Sequence, residues 1–200
     1  MMKIFFIVFK NQVIIKTEGE GMKQTNHYFE KSLEFIFKWE GEISNDPNDP
    51  GGLTVFGLSS RYFPVEQWVK AGLSKEEMKR KAKEIYYENF WTKCGEGLNF
   101  PLCLFVFDTA VQFSCHKAAK LLQTVINEIF DRLIGYEQIK VDGIIGPKTK
   151  EAAARCFIDA YYTLHYKYLI KRIQEYLELS HFKHFGRGWI RRVIDLSNYI

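Results

Sequence analysis

The chain has 200 residues, which suits one domain, or one domain with a small appendage, that buries a substantial core. Its 46% hydrophobic and 26% charged residues are those of an ordinary globular protein. The net charge of +4 comes without a long Lys/Arg run, so the sequence does not predict a nucleic-acid-binding tail. This mildly basic balance is compatible with polyanions, including an anionic cell wall.

The cysteines are scattered, and no C-x-x-C spacing occurs among them. No His or further Cys completes a metal-ligand pattern around Cys115-His116. The sequence therefore predicts no metal site, no cofactor and no disulfide framework, although it leaves room for one bridge. The cysteines are Cys94, Cys103, Cys115 and Cys156.

Residues 1–26 are predicted to be an N-terminal extension. Their apolar run, Ile4 to Phe9, is shorter than a secretory signal or a membrane span requires. Met22 is a plausible start, which would make residues 1–21 an upstream segment; otherwise the run is a strand that needs cover. We expect no signal peptide and no stable membrane insertion. The protein would then be cytoplasmic until released, and would act at the cell wall or periplasm.

A helical period begins at His27 and ends at Glu40. The positions i, i+4, i+7, i+8 and i+11 from Phe29 put Glu40 beside the apolar stripe, and Gly41 follows as a helix stop. Apolar neighbours and the negative end of the helix dipole then surround this carboxyl group, which is the setting expected of a proton donor.

The segment after this helix is rich in turn residues. Asp46-Pro47 and Asp49-Pro50 favour turns, Gly51-Gly52 allow positive φ, and "GLTVFG" predicts a hairpin strand that contains Thr54. Glycoside hydrolysis needs a protonated carboxylic acid and a polar group on the other side of the sugar. A helix end, a loop and a hairpin can supply both, but a tight turn beside a solvated helix end would have the same composition.

Helical patterns dominate the rest of the chain. Ser74 with Glu77 forms a capping box for a helix that runs to about Cys94. Pro101 opens a nearly all-apolar helix in which Asp108 must be paired or face a cleft. Further helices are predicted over 116–133, from Pro147 to about 179, and at the C-terminus. The predicted fold is mainly α with one small β-hairpin.

Four ordered segments resemble glycoside hydrolase family 108. "EGEISNDPNDPGGLTVFGLS" is similar to its Glu-Gly, Asp-Pro-x-Asp-x-Gly-Gly-x-Thr-x-x-Gly signature, with Glu42 in place of the usual second Gly. "LFVFDTAVQFSCHKAAKLLQ" is similar to the family's second segment, with "QFS" where Asn-x-Gly is usual. "VDGIIGPKTKEA" and "FGRGWIRRV" resemble the peptidoglycan-binding region that follows it.

This resemblance implies a lysozyme-like helical fold with the hairpin near the active-site cleft. It also implies an N-acetylmuramidase of the phage-endolysin type, although some members have been labelled secretion activator proteins. Glu40 then corresponds to the catalytic Glu, and Asp49 and Thr54 to the loop Asp and hairpin Thr. Substrate-binding roles are expected for Asp46, Gly52, Gly57, Asp108 and Gln112.

The expected organisation is a catalytic region over 27–115 and a helical peptidoglycan-binding region over 116–200, packed as one unit. The expected partner is the glycan strand of peptidoglycan, with no nucleic acid, and the protein is expected to be a monomer. A non-catalytic peptidoglycan-binding or secretion-helper module of the same fold is the alternative. "GPKT" is either a simple helix cap or a site where Lys148 meets a carboxylate of the wall.

Overall fold

The structure, a computed structural model, describes the backbone of residues 4–9, 12–44 and 52–200, and side chains within these ranges from residue 27 onward. It opens with an antiparallel pair, β1 (Ile4–Phe9) and β2 (Gln12–Thr17), followed by α1 (Glu18–Glu40). The apolar run is therefore a strand. Because α1 begins at Glu18, the boundary predicted at residue 26 falls inside a helix, and Met22 lies within it.

A small antiparallel sheet follows α1 directly. It has the order β3 (Ile43–Ser44), β4 (Thr54–Val55) and β5 (Leu58–Ser59). Phe56 and Gly57 connect β4 to β5 with φ of 48° and 81°, as a tight two-residue hairpin turn requires. The predicted hairpin is thus confirmed, and its turn is brought back toward the end of α1, where the Phe56 amide donates to the Glu42 carbonyl at 2.6 Å.

The next segment is helical apart from short connections. It contains α2 (Val65–Lys70) and α3 (Lys75–Tyr86), and continues as a π-helical segment (Tyr87–Gly95). The predicted capping box is present, since Ser74 Oγ accepts from the Glu77 amide while Glu77 Oε2 accepts from the Ser74 amide. The predicted helix to Cys94 is therefore continuous, but its second half winds more widely than an α-helix.

The core is built around α4 (Leu102–Gln112), whose residues 102–110 are all buried. This helix packs against α1, the π-helical segment, α5 (Cys115–Phe130) and α7 (Tyr161–Leu177). A helix surrounded on all sides has no face for water, which explains its nearly all-apolar sequence. Asp108 is the charged side chain inside this run, and its partners determine the architecture of the site.

The C-terminal part is entirely helical, with α6 (Pro147–Asp159), α7 and α8 (Phe182–Ser197). One continuous helix from Pro147 to about 179 was predicted, but the chain breaks at Ala160, whose φ and ψ are −145° and 40°. This break lets α7 pack against α5 and α8 instead of extending α6. In the part of the chain that the structure describes, no helix combines the length and the apolar character of a membrane span.

Gln123 of α5 fixes the loop before α6. Its Nε2 donates to Asp142 Oδ1 at 2.8 Å and to Thr149 Oγ1 at 3.1 Å, while its Oε1 accepts from the Gly143 amide at 2.8 Å. Asp142 Oδ1 also accepts from the Ile144 amide at 3.0 Å. The "VDGIIGPKT" motif is therefore held in place by a buried glutamine that satisfies its polar groups.

Candidate active site

Glu40 is the last residue of α1, and the small sheet begins three residues later. Gly41 follows it with φ of 70°, a conformation that suits glycine and ends the helix. The Glu40 side chain is 17% exposed, so its carboxyl group lies at a boundary between core and solvent. A group in this position can reach a ligand and still be held by buried neighbours.

Two side chains from distant parts of the chain hold this carboxyl group. Gln112 Nε2, at the end of α4, donates to Glu40 Oε1 at 3.0 Å. Arg192 Nη1, on α8, donates to the same oxygen at 2.6 Å. Among the described residues both side-chain hydrogen bonds to Glu40 therefore end on Oε1, which leaves Oε2 as the oxygen available to a ligand.

Arg192 is shared between Glu40 and Asp108. Its Nε and Nη2 donate to Asp108 Oδ1 at 3.0 and 2.6 Å, and Arg172 Nη1 of α7 lies 2.5 Å from Oδ2. Asp108 and Arg172 are completely buried, and the Arg192 side chain is 5% exposed. Two guanidinium groups and two carboxyl groups thus form one nearly enclosed network, in which neighbouring charges compensate each other.

The charges and burial of these side chains determine the pKa values within the network. Burial acts to raise the pKa of Asp108, but the charges of Arg192 and then Arg172 outweigh it and hold that pKa below the ordinary value. Burial acts to lower the pKa of Arg192, whereas Asp108 and Glu40 raise it overall. Asp108 is therefore a carboxylate and Arg192 a cation at neutral pH.

The hairpin turn packs directly against Glu40. A Cβ atom at Gly57 would lie 2.6 Å from Glu40 Cγ and 2.6 Å from the Tyr86 hydroxyl, so no larger residue fits without displacing them. Tyr86 donates to the Phe56 carbonyl at 2.9 Å. Burial and then the charge of Glu40 raise the pKa of Tyr86 well above its ordinary value, so the phenol remains a neutral donor that fixes the turn.

The structure describes some of the other predicted residues but not all of them. Asp46 and Asp49 lie outside the described residues. The Thr54 hydroxyl donates to the Gly52 carbonyl at 3.4 Å, on the strand that leads to the turn. Asp108 does not face a cleft; because it is fully buried between two arginines, the predicted substrate contact is wrong for this residue.

Glu42 is not among the residues that hold the Glu40 carboxyl group. Its exposed carboxylate pairs with Lys75 at the start of α3. The extra negative charge that the sequence places two residues after Glu40 is therefore compensated by a lysine. This makes Glu42 a useful chemical reference for Glu40, because the two acids are two residues apart in the chain but differ in burial and partners.

A cavity of about 480 Å³ begins at the turn. Gly57 and Tyr86 line its end near Glu40, and it continues between the π-helical segment and the start of α5, where Lys93 and Cys115 line it. Phe63, Phe90 and Phe113 supply aromatic surface along its wall. A mostly apolar groove with a few polar groups beside a fixed carboxyl group is typical of a ligand-binding cleft.

Sequence reasoning missed three residues of the site: Arg172, Arg192 and Tyr86. A signal for the arginines was present, since Arg172 continues the four-residue spacing of buried Leu164 and Tyr168, and Arg192 lies beside buried Val193. An arginine on the buried face of a helix requires an acidic partner. Asp108 was the charged residue that still needed one, but the sequence did not indicate which arginines would reach it.

These features define a class of protein. A mainly helical fold, a small antiparallel sheet after the first long helix, and a glutamate at the junction of the two form a lysozyme-like arrangement. Comparison with known proteins supports this class, because two family models match the chain. Residues 33–113 match the family described as "Glycosyl hydrolase 108", and residues 118–194 match "Predicted Peptidoglycan domain".

A solved structure, that of Brucella abortus SagA, is similar to the chain at 30% sequence identity with a TM-score of 0.65. The similarity covers 86% of this chain and 93% of the Brucella chain. No curated protein matches. The chain therefore belongs to glycoside hydrolase family 108. The two matched regions support a peptidoglycan-related function, with peptidoglycan as the partner.

The candidate site crosses the boundary between the two matched regions. Glu40, Asp108 and Gln112 lie in the first region, whereas Arg172 and Arg192 lie in the second. The carboxyl group of Glu40 thus accepts a hydrogen bond from each region. The second region completes the site in addition to any contact of its own with the wall.

Proposed function

We propose that the protein is an N-acetylmuramidase that hydrolyses the β-1,4 bond between N-acetylmuramic acid and N-acetylglucosamine in peptidoglycan. The main support for the proposal is the position of Glu40, which is partly exposed, packs against the cavity-lining residue Gly57 and is held through one oxygen by Gln112 and Arg192. Membership of a glycoside hydrolase family and the peptidoglycan match support it. The proposed site of action is the cell wall.

In this mechanism Glu40 is the general acid. Because Oε1 accepts two hydrogen bonds, Oε2 is the oxygen from which the acid form would donate its proton to the glycosidic oxygen as the bond breaks. The fixed donors keep the carboxyl group in one orientation, and fixed orientation is a large part of catalysis. Asp49 with Thr54 is assigned to the second role, which is to orient water or stabilise the oxocarbenium-like transition state.

The test compares two acids that are close in sequence. Glu40→Gln keeps the size and the acceptor oxygen but carries no transferable proton, so release of reducing ends from purified walls should fall by roughly 10²–10⁴-fold. Glu42→Gln makes the same chemical change at the exposed acid that pairs with Lys75, and should keep activity within a few-fold of the parent. Both variants should retain wall binding in a pull-down assay.

The outcomes separate the proposal from its alternative. A Glu40→Gln variant that cleaves at close to the parent rate would show that Glu40 is not the acid. A parent protein that binds walls firmly but releases no reducing ends would instead be a non-catalytic peptidoglycan-binding module. Circular dichroism on the same preparations establishes that each variant is folded.

A further inference from the structure

Two of the four cysteines lie near each other, and one of them lines the cleft cavity. Cys94, near the end of the π-helical segment, is 1% exposed. Cys115 Sγ lies 3.7 Å from the Asn89 carbonyl oxygen and 4.0 Å from that of Phe90, one turn before Cys94 on the same segment, and each thiol is the largest influence on the pKa of the other. Cys115 is the first residue of α5, is partly exposed and lines the cavity of about 480 Å³. One thiol is thus reachable from the cavity, and the other lies directly behind it.

The surroundings of the two sulfur atoms differ in the way expected of an attacking and a resolving cysteine. Cys115 lies at the N-terminus of a 16-residue helix, where the helix dipole favours a thiolate. The neighbouring Cys94 thiol and the charge of Lys93 lower the pKa of Cys115, whereas the Cys115 thiol and burial raise the pKa of Cys94. In its thiol form Cys115 donates to the Asn89 carbonyl at 3.7 Å.

The remaining cysteines offer an internal comparison. Cys103 and Cys156 are completely buried, and burial raises the pKa of each thiol to about 12. Neither is hydrogen-bonded to another cysteine in the described part of the chain. Accessibility, thiolate character and an adjacent second thiol, the properties that mark a redox-active cysteine, therefore occur together only at Cys115 among these four.

We infer that Cys94 and Cys115 form an oxidisable thiol pair that closes to a disulfide when it meets a disulfide oxidant. The Cys115 thiolate attacks one sulfur of a low-molecular-weight disulfide such as oxidised glutathione, and the other half leaves as a thiolate. Cys94 then loses its proton to water, and its sulfur attacks Cys115 Sγ and displaces the second half. Two protein thiols become one disulfide, and the two electrons and two protons end on two glutathione molecules.

The bond would have a structural consequence at the cleft. It would tie the end of the π-helical segment to the start of α5, the two elements between which the cavity runs. Closing this loop covalently restricts the unfolded chain, so the oxidised protein should be the more stable form. The pair does not depend on the proposed hydrolase activity, and its test uses no wall substrate.

The test is oxidation of the full, folded chain with excess oxidised glutathione, followed by alkylation, intact mass and peptide mapping. The parent should lose two hydrogen atoms and gain no glutathione, with Cys94 linked to Cys115 and the other two cysteines alkylated. Its thermal midpoint should rise by roughly 5 °C or more and return on reduction. Cys156→Ser, which removes an unpaired buried thiol, should behave as the parent.

Two variants test the order of the steps. Cys94→Ser should accumulate one glutathione on Cys115, because no resolving thiol remains. Cys115→Ser should gain none, because Cys94 is buried behind it. A stable glutathione adduct on the parent, a bridge to Cys103 or Cys156, or an unreacted Cys115 in the folded parent would overturn the inference. The parent result decides the question if the buried Cys94→Ser change prevents folding.

Discussion

At the scale of the residue, the site depends on how firmly one carboxyl group is held. Glu40 sits on the last turn of a helix, where the backbone alone would leave a long side chain free to move. Gln112 and Arg192 remove that freedom from one side, and the Phe56–Gly57 turn limits it from the other. The orientation of Glu40 thus results from three separate parts of the chain.

Substitution of Gly57 tests directly how the hairpin turn packs against Glu40. Gly57→Ala would place Cβ 2.6 Å from Glu40 Cγ in a backbone with φ of 81°, so both strain and displacement are expected. We expect a loss of roughly 2–4 kcal/mol in unfolding free energy, from the positive φ and from overpacking. Wall hydrolysis should fall by about 10²-fold, because small misplacements of a reacting group are costly. Denaturant unfolding and reducing-end release measure the two effects.

The control for this prediction is Gly72→Ala. Gly72 also has positive φ, 67°, but a Cβ there would meet nothing within 4 Å. That variant should lose only the backbone contribution, about 1 kcal/mol, and should keep its activity. Equal losses of activity in the two variants would mean that the contact between Gly57 and Glu40 is not important for the site.

At the scale of the element, three helices meet around one buried carboxylate. Asp108 interrupts the apolar sequence of α4, and α7 and α8 each direct an arginine to it. Removing one partner of a buried ion pair leaves an uncompensated charge, which typically costs about 3–5 kcal/mol. The network therefore fixes how α7 and α8 pack on the central helix, and through Arg192 it reaches Glu40.

We predict a pH dependence of stability from Asp108. Its pKa is lowered in the folded protein, so its contribution is fully present above the unfolded value of about 4 and is lost as pH falls through the folded value. Asp108→Asn should cost about 3–5 kcal/mol at pH 7. The difference from the parent should shrink as the pH is lowered below about 4, which urea unfolding at several pH values would measure.

Asp195, which forms an ion pair near the surface, provides the comparison for the buried ion pairs of Asp108. Its carboxylate accepts from Lys38 at 2.7 Å and from the Trp39 indole at 2.8 Å, but the Lys38 side chain is 63% exposed. Since solvent screens such a pair, Asp195→Asn should cost no more than about 1 kcal/mol at pH 7. If the two substitutions cost the same, burial of the Asp108 network is not what stabilises this packing.

The elements themselves were largely predictable from local sequence. The capping box at Ser74, the helix start at Pro147 and the hairpin around Gly57 are encoded by neighbouring residues, and the structure confirms each. The break at Ala160 was missed, because alanine gives no local stop signal and tertiary packing of α7 sets it. Arg192 lies 152 positions from Glu40, and no local pattern encodes so distant a contact.

At the scale of the whole molecule, the two matched regions form one physical unit around the site. The buried helix α4 of the first region packs against α5 and α7 of the second, and ion pairs to Asp108 cross the same boundary. The boundary between the two matched regions therefore does not divide the hydrophobic core. The second region supplies one of the two side-chain hydrogen bonds that hold Glu40 among the described residues.

We predict that a single change in the second region lowers the activity that we propose for the first. Arg192→Gln loses the cation that donates to Glu40 and Asp108, so wall hydrolysis should fall by about 10²-fold through misplacement of the acid. The free energy of unfolding should fall by about 3–5 kcal/mol, because Asp108 loses a buried partner. Reducing-end release, wall pull-down and calorimetry on one preparation would measure these effects.

The neighbouring arginine separates this effect from a general loss of positive charge. Arg191→Gln removes the same charge from an exposed position on α8, and should leave hydrolysis and stability close to those of the parent. In both variants wall binding should persist, and unfolding should occur as one transition, because the regions share a core. Two separate transitions, or an Arg192→Gln variant that binds walls poorly yet retains turnover, would show that the second region acts as an independent wall-binding module.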